Sequence, residues 1–331
     1  MTDDAQVAGN VPTIADVKAA AQRLADVAIR TPLLTSPVLD ELTGGRIFLK
    51  AEIFQRTGSF KFRGAFNKIA SLPRAAHAAG VVAFSSGNHA QGVAAAAARL
   101  GLPAVIVMPR DAPQSKRERT AALGAKVVLY DRETEDREAI ARRIATERGA
   151  ALVPPYDDAQ VIAGQGSVGI EIVDDLARTG LAADTVVVNA SGGGLTAGIA
   201  LAIKDAWPHA QIVTAEPDGF DDHARSFASG TRQSNAALSG TICDALMAQT
   251  PGDITFAINR RLVGQGVSVS DDDVRAAMRF AFRELKLVVE PGGAVALAAL
   301  LTGRIDARGK TAVVVLSGGN VDADVFFKLI A

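Results

Sequence analysis

A chain of 331 residues, 48% of them hydrophobic, is long enough to bury two cores, so about two domains are expected. Its 35 basic and 36 acidic residues leave a formal charge of -1 without a like-charged block, which argues against nucleic acid or an anionic membrane as partner. One cysteine, Cys243, excludes an internal disulfide and suits a reducing cytoplasm, while the acidic start Met1-Thr2-Asp3-Asp4 lacks the apolar run of a signal peptide.

In chain order, the first amphipathic run predicts a helix over 14–29, followed by a strand over 46–49 and a helix over 60–71. Apolar, β-branched runs at 81–84, 104–108 and 126–130 then alternate with helical patterns at 89–100, 115–123 and 134–148. Beyond the proline pair Pro154-Pro155 come helices over 161–177, 194–207, 271–285 and 293–301, with strands over 185–189, 211–216 and 311–316. Strands apolar along their whole length, alternating with helices, imply an α/β protein whose parallel sheets are covered on both faces. Residues 80–154 read as a small domain, and 1–79 with 155–331 as a large one, the chain crossing between them near Pro154-Pro155 and Asp157-Asp158. The stretch 185–203 carries no charge over 19 residues, but Asn189, Ser191 and three consecutive glycines suit a strand–turn–helix rather than a bilayer span.

The segment Gly58-Ser59-Phe60-Lys61-Phe62-Arg63-Gly64-Ala65 is the most informative in the chain. A lysine against an aromatic ring at the start of a helix is set up to lose its charge, since burial and the helix N-terminus both disfavour an ammonium. Arg63 reads as a second cation with the same effect. A neutral amine can bond to an aldehyde cofactor and can move protons. Alone, such a lysine is also what an ordinary snorkelling side chain looks like.

Three strand-to-helix turns change that balance, because parallel sheets bind ligands beyond the carboxyl ends of their strands. Ser85-Ser86-Gly87-Asn88-His89 offers hydroxyls, an amide and backbone N–H groups to a small anion such as a carboxylate. Ser191-Gly192-Gly193-Gly194-Leu195 leaves no Cβ atoms in the way of N–H groups converging on a single phosphate. Its spacing is neither the dinucleotide fingerprint nor a P-loop, which disfavours a nicotinamide oxidoreductase. Leu316-Ser317-Gly318-Gly319-Asn320 places a neutral hydroxyl at the end of the last strand. The first and third of these would also serve as plain helix caps, the third for a helix over 321–330.

With these segments in place, nearly the whole chain resembles the fold-type II pyridoxal-phosphate (PLP) enzymes, in the branch of threonine/serine dehydratases and serine racemases. The motifs that carry it are Ser-Phe-Lys-x-Arg-Gly-Ala, Ser-Ser-Gly-Asn-His-x-Gln and Ala163-Gly164-Gln165-Gly166. The resemblance implies two parallel-rich domains of the tryptophan synthase β type, a homodimer, and PLP as cofactor. It implies that Lys61 is the Schiff-base lysine, that Phe60 packs on the cofactor ring, and that Asn88 meets the ring's 3-oxygen. Ser191, Gly192, Gly193, Gly194 and Leu195 would hold the phosphate, Ser317 the pyridine nitrogen, and Glu290 would lie near the ring edge. Ser191 stands where the family usually has a first glycine. Ser85, Ser86, Gly87, Asn88 and His89 would take the substrate carboxylate, with Ser86 facing Lys61 across the substrate.

The implied reaction is dehydration and deamination of a β-hydroxy amino acid, L-threonine or L-serine, with Lys61 removing the α-proton. Dehydration of 3-hydroxyaspartate is an alternative, since Arg137 or His89 could meet a second carboxylate; serine racemisation is another. Cys243-Asp244-Ala245-Leu246-Met247-Ala248 departs from the racemase pattern. A scaffold that binds PLP without turnover is disfavoured by the intact Lys61, Ser86 and Ser317. The chain ends at Ala331, soon after its last strand, which leaves no room for a C-terminal regulatory domain. Glu216, the carbonyl of Phe220 and Asp222 match the branch's divalent-cation site for Mg²⁺, Ca²⁺ or Mn²⁺, although carboxylates there also suit a helix N-terminus.

Overall fold

The computed structural model describes residues 11–331 apart from Pro113, so the reading of the N-terminal tetrapeptide lies outside the described residues. The strands are β1 (Leu33–Thr35), β2 (Arg46–Ala51), β3 (Val81–Phe84), β4 (Ala104–Pro109), β5 (Lys126–Tyr130), β6 (Ala151–Leu152), β7 (Thr185–Asn189), β8 (Gln211–Pro217), β9 (Gln265–Val269) and β10 (Thr311–Leu316). They form a six-stranded sheet in the order β1-β2-β10-β7-β8-β9 and a four-stranded sheet in the order β5-β4-β3-β6. Apart from the antiparallel edge strand β1, every pairing is parallel.

The apolar run Val313-Val314-Val315 explains why β10 lies inside its sheet. Val313 pairs with Phe48 on one side and Val186 on the other, and all three valines are fully buried. Both faces must then be covered. Helix Pro291–Leu301, alanine-rich and buried along nearly its whole length, packs on one face. Helices Ala159–Arg178 and Gly194–Ala206 cover the other.

The expected strands are all present, and three more appear: β1, β6 and β9. They are short or lie at sheet edges and are only partly buried, so they carry little apolar signal. Three further helices are not anticipated from the sequence, Pro37–Thr43, Arg74–His77 and Asp253–Leu262, while Asp222–Ser229 is the helix whose N-terminus the sequence offers as the alternative to a cation site. The first is marked by a Ser36 cap and a proline in its first turn. The helix expected over 134–148 begins only at Arg137, where the Asp136 carboxylate accepts from the N–H groups of Glu138 and Ala139. The first helix stops at Leu24 rather than 29.

Pro154-Pro155 leads from β6 back to the larger sheet, and the acidic pair beyond it caps two helices. Asp158 caps Ala159–Arg178, while Asp157 accepts from Asp253, Ile254 and Thr255 at the start of Asp253–Leu262. Among the described residues no helix is long and apolar enough to cross a membrane.

Candidate active site

The carboxyl ends of β3, β7 and β10 meet at one cavity. Its lining includes Phe60, Lys61, the turn 85–89, Arg137, Ser191 to Leu195, Glu290 and Ser317. One sheet supplies the turn after β3 and the other supplies the turns after β7 and β10, so the cavity lies between the two. Every residue expected to touch cofactor or substrate is therefore gathered in one place. Lys116, Tyr156, Asn189 and the segment 244–248 join them.

Lys61 opens helix Lys61–Ala70, directly after Phe60. Its amine donates to the Pro155 carbonyl at 2.8 Å and lies 5.2 Å from the centre of the Phe60 ring. Burial lowers its pKa from the ordinary lysine value to about 8. The expected part of Arg63 is overturned. Its guanidinium is fully buried and engaged by Glu52 at 2.8 Å and Glu171 at 2.7 Å, so its charge is spent locally, and desolvation alone accounts for the lysine.

The glycine turn is held from behind. The carbonyls of Ser191, Gly192 and Gly193 accept from His223 Nε2 (2.7 Å), Thr255 Oγ1 (2.6 Å) and Asn259 Nδ2 (3.2 Å). With its carbonyls pinned on that side, the turn is free to offer N–H groups to the cavity at the start of helix Gly194–Ala206. Gly193 adopts φ +89°, and a methyl group on Gly192 would run into the Tyr156 ring. The Ser191 hydroxyl accepts from the Ala248 N–H at 3.1 Å, which ties the turn to the segment 244–248. Burial drives His223 down to about 4, so it bonds to Ser191 as a neutral ring.

Ser317 is positioned by Asn189, the last residue of β7. The Asn189 amide donates to Ser317 Oγ at 2.8 Å and to the carbonyls of Gly293 and Val315, while its oxygen accepts from the Ala296 N–H. Because Ser317 Oγ already accepts there, its own proton is free to point into the cavity. Asn88 donates to Glu290 at 2.6 Å. Burial, then the charge of Asp244, raises Glu290 to about 8.

On the turn after β3, the Ser85 hydroxyl accepts from the Gly87 N–H, and Ser86 and Gly87 line the cavity. His89 does not behave as expected. Its ring is buried, its Nε2 bonds to the Val153 carbonyl at 2.8 Å, and burial beside Lys61 lowers it to about 3. A neutral, occupied imidazole cannot counter a second carboxylate. Arg137 can: its guanidinium lies 5.6 Å from the centre of the Phe84 ring and forms no ion pair among the described residues. Lys116, a further cation at the cavity, is paired with Asp244 at 2.8 Å.

Residues 24–318 match the family model described as pyridoxal-phosphate dependent enzyme. The chain belongs to that family. It is 45% identical over 315 residues to an L-threo-3-hydroxyaspartate ammonia-lyase of Pseudomonas sp., covering 95% of this chain and 97% of the relative. It is 43% identical to the catabolic L-threonine dehydratase TdcB of Escherichia coli K12, covering 93% of each. Maize serine racemase superposes with a TM-score of 0.91 at 38% identity, over 96% of each chain. The α/β architecture with parallel-rich sheets is thus shared with that enzyme and with the threonine deaminase of T.th., which has a TM-score of 0.88, 43% identity and coverage of 94% and 99%.

The residues of this PLP-dependent enzyme fit the cofactor. A buried amine of lowered pKa, a side-chain-free turn at a helix N-terminus and a hydroxyl with a spare proton face the same space. Sequence reasoning missed the supports of that space: Asn189, Tyr156, His223, Thr255 and Asn259. Asn189 carried a readable signal, a lone amide closing an apolar strand; the others lie far from the turn in sequence.

The expected cation ligands sit apart from this cavity. Both Glu216 oxygens accept from helix N–H groups, those of His223 and Ala224, as the helix-terminus alternative anticipated. Asp222 Oδ1 accepts from Asn235, and Oδ2 is buried without a partner. Among the described residues no group of three or more His, Cys, Asp or Glu side chains is placed to hold a metal.

Proposed function

We propose that this enzyme catalyses β-elimination from a β-hydroxy amino acid, L-threonine or L-serine, giving an α-keto acid and ammonia. The observation that carries this reading is the Lys61 amine, whose pKa is lowered to about 8, in the same cavity as Ser86, the glycine turn and Ser317. PLP, when bound, supplies the electron sink for the α-carbon and a phosphate able to protonate the departing hydroxyl. Lys61 would hold the cofactor through its aldehyde, and its amine, with a pKa lowered to about 8, would take the substrate's α-proton. The N–H groups and hydroxyls of the turn 85–89 hold the α-carboxylate, and His89 contributes through its backbone only. Gly192, Gly193, Gly194 and Leu195 would take the phosphate, Ser317 would present a neutral hydroxyl to the ring nitrogen, and Phe60 and Glu290 would hold the ring. Ser86 is the acid opposite Lys61.

A second reading, dehydration of 3-hydroxyaspartate, is favoured by the cations at the cavity, Arg137 above all, which has no acidic partner among the described residues. The panel that tests both contains threonine, serine and the two 3-hydroxyaspartate diastereomers, scored by keto-acid release, with D-serine formation followed alongside. Loss of only the dicarboxylate activity in Arg137→Ala would support the second reading; equal loss on all substrates would refute it. If none of the four is turned over by PLP-loaded protein, the elimination reading fails.

We further propose that Glu216, Asp222 and the Phe220 carbonyl take a divalent cation. The unpartnered Asp222 oxygen supports this, as do the raised pKa values: burial and Asp222 lift Glu216 well above its ordinary value, and burial lifts Asp222 to about 6. A Ca²⁺-dependent rise in Tm that is absent from Asp222→Asn is the expected result. Residues 1–79 with 155–331 would form the cofactor domain and 80–154 the small domain, in keeping with a four-stranded sheet confined to 81–152. A cytoplasmic homodimer is the expected state, the first read from the lone buried Cys243 and the second from family resemblance.

A further inference from the structure

Asn320, in the turn after β10, has no part in the reading above, yet it touches the cavity's polar groups through Asn88. Its amide nitrogen donates two hydrogen bonds, to the Thr57 carbonyl at 2.6 Å and to Asn88 Oδ1 at 2.8 Å. A backbone carbonyl can only accept, so the end of the Asn320 side chain that faces Thr57 must be its NH₂. That same NH₂ meets Asn88, so Asn88 must answer with its oxygen. The Asn88 NH₂ is thereby turned the other way, where it meets Glu290 at 2.6 Å beside the cavity. The orientation of one amide at the cavity is thus fixed by a carbonyl in a distant part of the chain.

The carbonyl that starts this relay belongs to an unusual residue. Thr57 has φ 63°, a left-handed conformation that a β-branched side chain adopts only under strain. The segment is docked against the turn after β10. Gly319 N–H donates to the Gly58 carbonyl at 2.9 Å, and Ser59 bridges to Gly318. A side chain on Gly58 would strike the Asn320 amide. Asn320 is therefore held on one side by the lysine segment and presses on Asn88 on the other.

We propose that Asn320 is a positioning residue that sets the orientation of the Asn88 amide, so that Asn88 presents a hydrogen-bond donor rather than an acceptor to the cofactor's ring oxygen. This rests on the reading that Asn88 meets that oxygen. An amide flipped about its Cβ–Cγ bond would aim a carbonyl oxygen at an anionic phenolic oxygen and repel it. An ionised aspartate in place of Asn320 has no proton to give and keeps neither of the donated bonds.

The test measures PLP binding rather than turnover. Asn320→Asp, which replaces the donor with two acceptors, should raise the PLP dissociation constant about tenfold and shift the bound cofactor's absorbance from near 410 nm to shorter wavelength. In an Asn88→Ala background the same substitution should change affinity by less than about twofold, because there is no amide left to orient. If Asn320→Asp does not fold, Asn320→Ala, which removes both donated bonds without adding charge, runs through the same cycle. An unchanged dissociation constant and spectrum would overturn the proposal. So would an equal loss of affinity with and without Asn88, which would trace the effect to the Thr57 segment alone. Wild-type protein that takes up no PLP would sink the functional reading itself, and this inference with it.

Discussion

Replacing Arg63 by methionine should destabilise the protein far more than its distance from the cavity surface suggests. The guanidinium is fully buried and is gripped by two carboxylates: Nε and Nη2 bond to Glu52 at 2.8 Å each, and Nη1 and Nη2 bond to Glu171 at 2.7 and 2.9 Å. Lys50 also reaches Glu171, at 2.6 Å, so that carboxylate keeps a partner in the variant. Glu52, with none of its side-chain surface exposed, would keep only the Thr31 hydroxyl. Removing one member of such a buried cluster costs about 3–5 kcal/mol, chiefly from the charge left behind. In a protein of this size that corresponds to a Tm lower by roughly 4–7 °C.

The dependence on pH has a definite sign. For Glu171, burial pushes its pKa upward, but the charges and hydrogen bonds of Arg63 and Lys50 outweigh it, and the net shift is downward. A depressed carboxylate contributes stability that is present above its unfolded pKa and lost as pH falls through its folded one. In Arg63→Met, Glu171 loses the larger of its two counter-charges and with it most of that contribution. The gap between wild type and variant, followed by thermal unfolding, should stay constant from pH 8 to pH 5 and narrow as pH falls below about 4.5, toward the lowered folded value. A Tm change below about 2 °C, or a gap that does not vary with pH, would refute the account. Adding Glu52→Gln should recover part of the loss, since a neutral amide needs no counter-charge.

Lys61 should take up PLP with a pH dependence centred near 8, rising as the amine loses its proton; the rate at which the band near 410 nm grows, followed from pH 6 to 10, would rise throughout without an inflection if burial were not acting. Gly192→Ala should weaken PLP binding about tenfold or more, because the new methyl group displaces the Tyr156 ring, and Tyr156→Gly in the same chain should restore much of it; no restoration would mean that the turn is strained for another reason. Asn189→Ala should leave Ser317 free to rotate and lower the free energy of unfolding by about 1–3 kcal/mol, since the Ala296 N–H and two buried carbonyls lose their partner; a change under about 0.5 kcal/mol in denaturant unfolding would contradict the bonding described.

Much of this protein is written locally. Val81–Phe84, Thr185–Asn189 and Thr311–Leu316 are read correctly because strands buried on both faces must be apolar at every position, and that constraint leaves a mark in single segments. Lys61, the glycine turn and Ser317 are legible for a similar reason: each chemical demand is met by one short stretch of chain. What the folded molecule alone decides is the company these residues keep. Arg63 reads in sequence as a neighbour of the lysine, but a helix turns successive side chains to different faces, and its charge meets Glu52 and Glu171 instead. His89 reads as a cation at a ligand turn, until burial beside Lys61 makes it neutral and the Val153 carbonyl occupies its Nε2. The carbonyls of the glycine turn are held by His223, Thr255 and Asn259, and the Asn88 amide is aimed by Asn320, across separations that no local pattern encodes. Backbone demands are met by neighbours in the chain and so can be read from it; the protonation and orientation of a side chain depend on which distant atoms burial brings against it.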